Sequence, residues 1–169
     1  MHIVITGASG SGKTSIINHL TDKLNIPLSV SYTTRDMRPG EVDGKDYHFI
    51  TKDKFNFMIE NDELVEYTAF NNNYYGTGKI SSGRMIFDLE YEGVLHFKNT
   101  NQDFLYIFID VEKSKLKARL SNRGTTGVEL DNRMMIYDNF EKLKSIISFD
   151  LYVDNNGSLE SSIGQLLNF

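Results

Sequence analysis

The run Gly7-Ala8-Ser9-Gly10-Ser11-Gly12-Lys13-Thr14 constrains this chain more than any other segment. Its Gly-x-x-x-x-Gly-Lys-Thr spacing is that of a phosphate-binding P-loop. Before it stands His2-Ile3-Val4-Ile5-Thr6, a β-branched apolar run suited to a buried parallel strand. After it, Ile16, Ile17, Leu20 and Leu24 recur at helical spacing over Thr14 to Leu24. Strand, glycine turn and helix in that order aim backbone N–H groups and a positive helix end at an anion. Gly7, Ala8, Ser9, Gly10, Ser11 and Gly12 are expected to wrap nucleotide phosphates. Lys13 is expected to reach the β- and γ-phosphates, and the Thr14 hydroxyl to ligate Mg²⁺. The loop specifies a nucleotide and leaves the acceptor open. The guanine reader of a GTPase, Asn/Thr-Lys-x-Asp on a late strand, is absent from the sequence.

The rest of the chain extends this beginning into an α/β domain. Strands are predicted at Leu28 to Ser31, Tyr47 to Ile50, Glu63 to Phe70, Asn73 to Tyr75, Arg84 to Glu90, Phe104 to Asp110 and Tyr152 to Asp154. Helices are predicted at Asp53 to Asn61, Tyr91 to Lys98, Lys113 to Asn122, Leu130 to Ile147 and Leu159 to Leu167. Strands alternating with helices predict a mostly parallel sheet flanked by helices on both faces. The block from about Thr33 to Thr77 breaks that alternation and reads as a small mixed α/β insertion, with Thr33 to Asp46 a long ordered loop. At 169 residues, 40% apolar and 24% charged, one packed domain is expected. A net charge of −5 argues against a duplex nucleic-acid binder, although a few Arg and Lys can still gather in one cleft. The chain has no Cys, so disulfides and thiolate metal sites are excluded. With no signal-peptide pattern and no apolar stretch of spanning length, a soluble cytoplasmic chain without membrane or nucleic-acid partners is expected.

The acceptor is addressed by Ser31-Tyr32-Thr33-Thr34-Arg35-Asp36-Met37-Arg38-Pro39-Gly40-Glu41-Val42-Asp43-Gly44-Lys45-Asp46-Tyr47. Arg35 and Arg38 can fork onto the oxygens of a doubly charged phosphate, and Tyr47 and Tyr75 can add hydroxyl donors. Guanine recognition calls for a carboxylate facing N1–H and the exocyclic amine, and a donor facing O6. The run resembles the nucleoside-monophosphate-binding loop of guanylate kinases almost position for position. Glu66 and Asn73-Tyr74-Tyr75-Gly76-Thr77 resemble the second half of that site. The resemblance covers nearly the whole chain. It implies that Arg35, Arg38, Tyr47 and Tyr75 hold the GMP phosphate. It assigns the guanine-reading carboxylate to Glu66, with Glu63 a nearby alternative, and the hydroxyls to Ser31 and Thr77. Tyr74 and Phe70 could flank the base, although strand core is the plainer role for Phe70. Asp88-Leu89-Glu90 resembles the family's acidic strand end, where carboxylates approach Mg²⁺-bound water and the nucleoside; alternation puts Asp88 and Glu90 on one strand face.

Arg119, Arg123 and Arg133 bracket Gly124 to Gly127, and Arg119 and Arg123 share a helix face by spacing. In the family the matching arginines belong to a mobile lid that closes over the transferring phosphates. Asn155 loosely resembles the family's adenine-side Asn, although turn chemistry explains Asn155-Asn156-Gly157 equally well. The resemblance therefore implies a P-loop nucleoside monophosphate kinase fold over residues 1–169. Its core is 1–32 and 84–169, its GMP-binding insertion about 33–83 and its lid about 119–133. The implied reaction moves the γ-phosphate of ATP to GMP or dGMP with Mg²⁺, in a monomer or small homo-oligomer. One departure is plain: only Gly78 to Gly83 stands where the family has a full helix before the acidic strand. That gap favours one rival reading, a catalytically inactive interaction module, but such modules lose the P-loop Lys or the acceptor arginines, and this chain keeps both. A kinase for another small phosphate acceptor would lack Glu66 or the Ser31–Tyr47 run.

Overall fold

A computed structural model describes residues 1–70, 72–80, 83–99 and 103–169. Two sheets organise it. The first is parallel, in the order β6(Ile86–Asp88), β1(His2–Thr6), β7(Phe104–Asp110) and β8(Leu151–Asp154). Alternation along β1 and β7 builds two unlike faces. Val4, Tyr106 and Phe108 point to an aromatic-rich core with Phe87, Phe97, Phe140 and Phe149. Ile3, Ile5, Ile107 and Ile109 point the other way, to an aliphatic core with Ile16, Ile17, Leu20 and Ile163. Helices α3(Tyr91–Lys98), α4(Lys113–Asn122) and α5(Gly127–Ile146) cover the aromatic face. Helices α1(Lys13–Leu24) and α6(Leu159–Leu167) cover the aliphatic one. The expected helix-flanked parallel sheet is therefore present. Among the described residues, no helix is long and apolar enough to cross a membrane.

The second sheet is mixed, in the order β3(His48–Phe49), β2(Tyr32–Thr33), β5(Asn73–Gly78) and β4(Leu64–Phe70). Helix α2(Lys52–Glu60) packs on it through Phe55 and Met58, and its first turn is capped by the Thr51 hydroxyl, which accepts from Lys54 N. Tyr74 stacks on Phe55 at 5.4 Å, so it belongs to this small core rather than flanking a base. The Phe70 side chain and residue 71 lie outside the described residues.

The predicted strand at Leu28 to Ser31 does not form. Leu28 makes a single bridge to Ile86, Ser29 N donates to Ile86 O, and the chain then leaves the parallel sheet. It is drawn to the second sheet by Tyr32, stacked on His48 at 4.7 Å, and by the buried Thr33 hydroxyl, which donates to Tyr74 O. The strand predicted at Arg84 to Glu90 shortens to Ile86–Asp88, because Glu90 is already the N-cap of α3. Helix α5 starts three residues earlier than predicted, behind the extended residue Thr126. Between β5 and β6, residues 79–80 and 83–85 form no helix, and 81–82 lie outside the described residues.

Candidate active site

The glycine turn carries β1 into α1. Gly12 is the N-cap of α1 at φ 99°, a left-handed conformation that favours glycine, and a Cβ there would strike the Asn155 amide. No side chain caps this helix end, and its first turn holds no acid, so its N–H groups face the loop's interior. Lys13 is buried and bends back to donate to Gly7 O at 2.5 Å. Thr14, one residue on, is exposed. The buried Ser11 hydroxyl has no hydrogen-bond partner among the described residues.

The loop is held from behind by distant residues. Asn155 Nδ2 donates to Ser11 O at 2.5 Å, and Asn155 Oδ1 accepts from Ser162 at 2.7 Å. Asn155 is buried with both ends of its amide engaged, so it acts here as a strut under the loop. Arg119 Nη1 donates to Ser11 O at 3.3 Å and Nη2 to Asn155 O at 2.7 Å. The shared face predicted for Arg119 and Arg123 fails: α4 ends at Asn122, and Arg123 is its exposed C-cap before Gly124 at φ 85°. Arg119 thus folds onto the core while Arg123 faces solvent. Arg133 reaches the loop from α5. Its Nη1 donates to the Ser9 hydroxyl, while Nε and Nη2 donate to Glu129 Oε1 at 3.2 and 2.8 Å.

The acceptor run is an ordered loop pinned to β5. Thr34 N donates to Tyr74 O at 3.1 Å, Tyr74 N to Thr34 Oγ1 at 2.9 Å, and Arg35 N to Thr33 Oγ1 at 3.2 Å. Asp43 accepts from Phe49 N and Asp46 from Val42 N, closing the turn before Tyr47. Arg35 lies 5.5 Å over both the Tyr47 and Phe49 rings. Its guanidinium is bound by the Glu41 carboxylate at 2.8 and 3.0 Å and by Asp36 O at 2.6 Å. That pairing raises the Arg35 pKa and holds the Glu41 carboxyl below its usual range. Arg38 is exposed, and its backbone N–H donates to Glu41 Oε2 at 2.7 Å. Tyr47 and Tyr75 meet edge to face at 6.0 Å.

Asp88 and Glu90 stand between the two loops. Asp88 is exposed at the end of β6 yet has protein atoms densely around it, and this desolvation pushes its pKa up; the Lys13 charge opposes the rise and Glu90 adds to it. The Tyr47 phenol is pushed up to about 12, first by burial and then by the charges of Glu90 and Asp88. The phosphate-loop lysine and the acceptor-loop tyrosine thus feel the same carboxylate.

Glu66 sits on β4 opposite Thr77 of β5, and Thr77 Oγ1 donates to Glu66 Oε1 at 2.6 Å. Burial raises the Glu66 pKa, against the Thr77 hydrogen bond and the nearby His96. Glu63 lies one residue before β4, its carbonyl accepting from Lys79 N at 3.0 Å, while Glu66 lies within β4 with Thr77 as its register partner. Ser31 is half-buried beside β2, its carbonyl accepting from His48 N. Sequence reasoning left three supporting residues without a role: Thr33, Glu41 and Glu129. Glu41 follows Arg38 at the interval that separates Arg38 from Arg35, and Glu129 lies four residues before Arg133 on a helix; those spacings were the available signals.

The family model for guanylate kinase matches residues 1–169. A guanylate kinase from Syntrophus aciditrophicus is 39% identical over 97% of this chain and 82% of its own length. One from Trichodesmium erythraeum is 36% identical over 97% of this chain and 92% of its own length. The crystal structure of guanylate kinase from Anaplasma phagocytophilum superposes with a TM-score of 0.74 at 22% identity, covering 99% of this chain and 82% of that one, a likeness of fold.

Proposed function

The chain belongs to the guanylate kinase family, and on that basis we propose how its residues carry the transfer of the γ-phosphate from ATP to GMP, giving ADP and GDP. The observation that supports the assignment best is the pairing of a P-loop, with buried Lys13 bent back over it, and a second site in which Thr77 Oγ1 donates to the Glu66 carboxylate at 2.6 Å, with Asp88 close enough to both loops for its charge to interact with Lys13 and Tyr47. Residues 7–14 take the donor phosphates, with Lys13 at the β- and γ-positions. Arg35, Arg38, Tyr47 and Tyr75 take the acceptor phosphate. Glu66, Ser31 and Thr77 read guanine, and Asp88 and Glu90 face the nucleoside. Because the base and phosphate carry the recognition, dGMP is accepted as well.

An oxygen of the acceptor phosphate attacks the γ-phosphorus as its bond to the β-bridging oxygen breaks, and ADP departs. The acceptor phosphate is already anionic near neutral pH, so no general base is required. Catalysis is then alignment and charge neutralisation by Lys13, Arg35, Arg123 and Arg133. The exposed Thr14 hydroxyl and the Asp88 carboxylate are hard oxygen donors, which suits Mg²⁺, an ion held by few protein groups and largely by phosphate and water. When bound, Mg²⁺ would neutralise charge on the transferring phosphates. The core is read as residues 1–32 and 84–169, the acceptor insertion as about 33–83 and the lid as about 119–133. Arg119 supports the phosphate loop from the core side of that lid. A cytoplasmic monomer or small homo-oligomer is the setting that fits this reading.

A coupled assay of ADP release tests the substrate. Turnover with GMP and dGMP, far above that with AMP, CMP or UMP, is expected. Equal turnover with AMP would overturn the roles given to Glu66, Ser31 and Thr77. No turnover with any nucleotide would overturn the catalytic roles of Lys13 and the arginines.

A further inference from the structure

A guanidinium has five N–H donors in one plane. Those of Arg35 divide in a telling way. Nη1 gives one to Asp36 O at 2.6 Å and one to Glu41 Oε2 at 3.0 Å, and Nη2 gives one to Glu41 Oε1 at 2.8 Å. The edge bearing both terminal nitrogens is therefore filled from within the loop. Nε–H and the second N–H of Nη2 donate to no described carbonyl or carboxylate; the further partner of this guanidinium among the described residues is the Tyr75 hydroxyl, a neutral group that an anion can join or displace. These two N–H groups lie parallel on the adjacent edge, the other geometry in which a guanidinium forks onto an oxyanion. Glu41 does a second thing: its Oε2 also accepts from Arg38 N at 2.7 Å, while Glu41 N donates to Arg38 O at 3.1 Å. One carboxylate thus fixes the guanidinium of Arg35 and the backbone of Arg38 in one frame. The pair is sheltered, with side-chain exposures of 12% for Arg35 and 20% for Glu41, so water competes weakly for it.

We propose that Glu41 is a positioning residue for the acceptor phosphate: by filling one edge of Arg35 it presents the other edge, preset, to that phosphate. This rests on the reading of Arg35 as a phosphate ligand. Glu41 itself touches no substrate. A flexible arginine would have to lose rotamer freedom on binding; a clamped one has lost it already.

The test compares GMP with guanosine, which lacks the phosphate, by calorimetry and NMR titration on the full chain. The variants are Glu41→Gln, Glu41→Asp, Arg35→Ala and Arg35→Ala/Glu41→Gln. Glu41→Gln is expected to weaken GMP about tenfold and guanosine by less than about twofold, and the double variant to bind GMP no more weakly than Arg35→Ala alone. In turnover, the GMP KM should rise while kcat and the ATP KM hold. Glu41→Asp keeps the charge and shortens its reach by one methylene, so it should weaken GMP selectively too; it carries the test if Glu41→Gln fails to fold. Equal loss of GMP and guanosine would mean a merely structural role and overturn the proposal. Unchanged or tighter GMP binding would show a bystander or a competitor, and also overturn it. If Arg35→Ala leaves GMP binding intact, the acceptor-site reading itself falls. If Arg35→Ala weakens GMP and neither Glu41 variant does, only the proposal about Glu41 falls.

Discussion

Arg35 and Arg133 are both paired with a glutamate, yet the two pairs are built differently. In the acceptor loop, Glu41 fills the terminal edge of Arg35 with two oxygens, and both side chains are sheltered. On α5, Glu129 offers one oxygen to Nε and Nη2 of Arg133, the side edge, and is itself 63% exposed. The first pair is woven into a loop pinned by Thr33, Thr34, Asp43 and Asp46. The second is an i,i+4 pair on a helix surface, where water and salt weaken it. On the proposed roles, the acceptor arginine is preset, whereas the lid arginine must exchange Glu129 before its side edge can meet a phosphate. The weak pair makes that exchange cheap. On that reading one centre is arranged to bind and the other to move.

Lys13 serves neither centre alone, so its removal sets the scale. Lys13→Met is expected to lower kcat by about 10³-fold or more, the loss typical of a preorganised charge at the reacting group. GMP binding should survive in calorimetry, and wild-type turnover would sink the catalytic assignment. The next step separates the two arginines. Arg35→Ala should raise the GMP KM on the order of 100-fold by removing a charge-assisted fork. Arg133→Ala should instead lower kcat on the order of 100-fold with little change in GMP KM. If both changes fall on KM, the contrast between the two centres is broken.

The base pocket sharpens the acceptor side. Glu66→Gln should lose a charge-assisted hydrogen bond, about 1.5–3 kcal/mol, raising the GMP KM roughly ten- to a hundredfold. IMP, lacking the exocyclic amine, should lose less. Discrimination of GMP from IMP and AMP as sharp as wild type would move the reader elsewhere. Burial raises the Glu66 pKa, so the native chain holds this proton at a pH where an unfolded one has released it. Protonation replaces an acceptor with a donor. Guanosine affinity should therefore fall as pH drops through a limb above the ordinary glutamate range, and Glu66→Gln should abolish that limb. The same linkage, taken for stability, runs the other way: folding gains as pH falls from the raised native value toward the unfolded one. Glu41 has the opposite sign, since its lowered pKa supports the fold above the ordinary range and is lost only as pH falls through the native value. The smallest effect belongs to Glu129→Ala, expected to change stability by less than about 0.5 kcal/mol and kcat by less than about threefold. Thermal melts and turnover check both, and a large loss would mean that the lid arginine is as rigidly held as the acceptor one.

Much of this was legible in the residues, and for physical reasons. Phe104–Asp110, Tyr91–Lys98, Lys113–Asn122 and Leu159–Leu167 form their elements at the expected bounds because their periodicity is uninterrupted. The second sheet was harder. β2 and β3 are two residues each, too short for any period, and they exist because Tyr32 and Thr33 find partners far along the chain. Side-chain direction was least legible at helix ends. Spacing alone joined Arg119 to Arg123, but the helix stops between them. Glu41 carried only a spacing signal, its three-residue interval from Arg38, and its role stayed hidden because it comes from filling one edge of another side chain, which no motif spacing encodes.

The struts beneath the phosphate loop also bear on synthesis. Asn155 meets Ser11 across 144 positions of sequence, and Ser162 holds Asn155 in turn. The loop is made almost first, yet Asn155 and Ser162 emerge from the ribosome almost last. A nascent chain stalled after Phe149 would carry the whole glycine run and still lack the amide that fixes its curvature. Such a chain should fail to protect a labelled ATP analogue that the finished chain protects. Competence for nucleotide would then arrive as a late event of translation, so that truncated products could not sequester ATP; protection by the stalled chain would show that the loop sets its own shape.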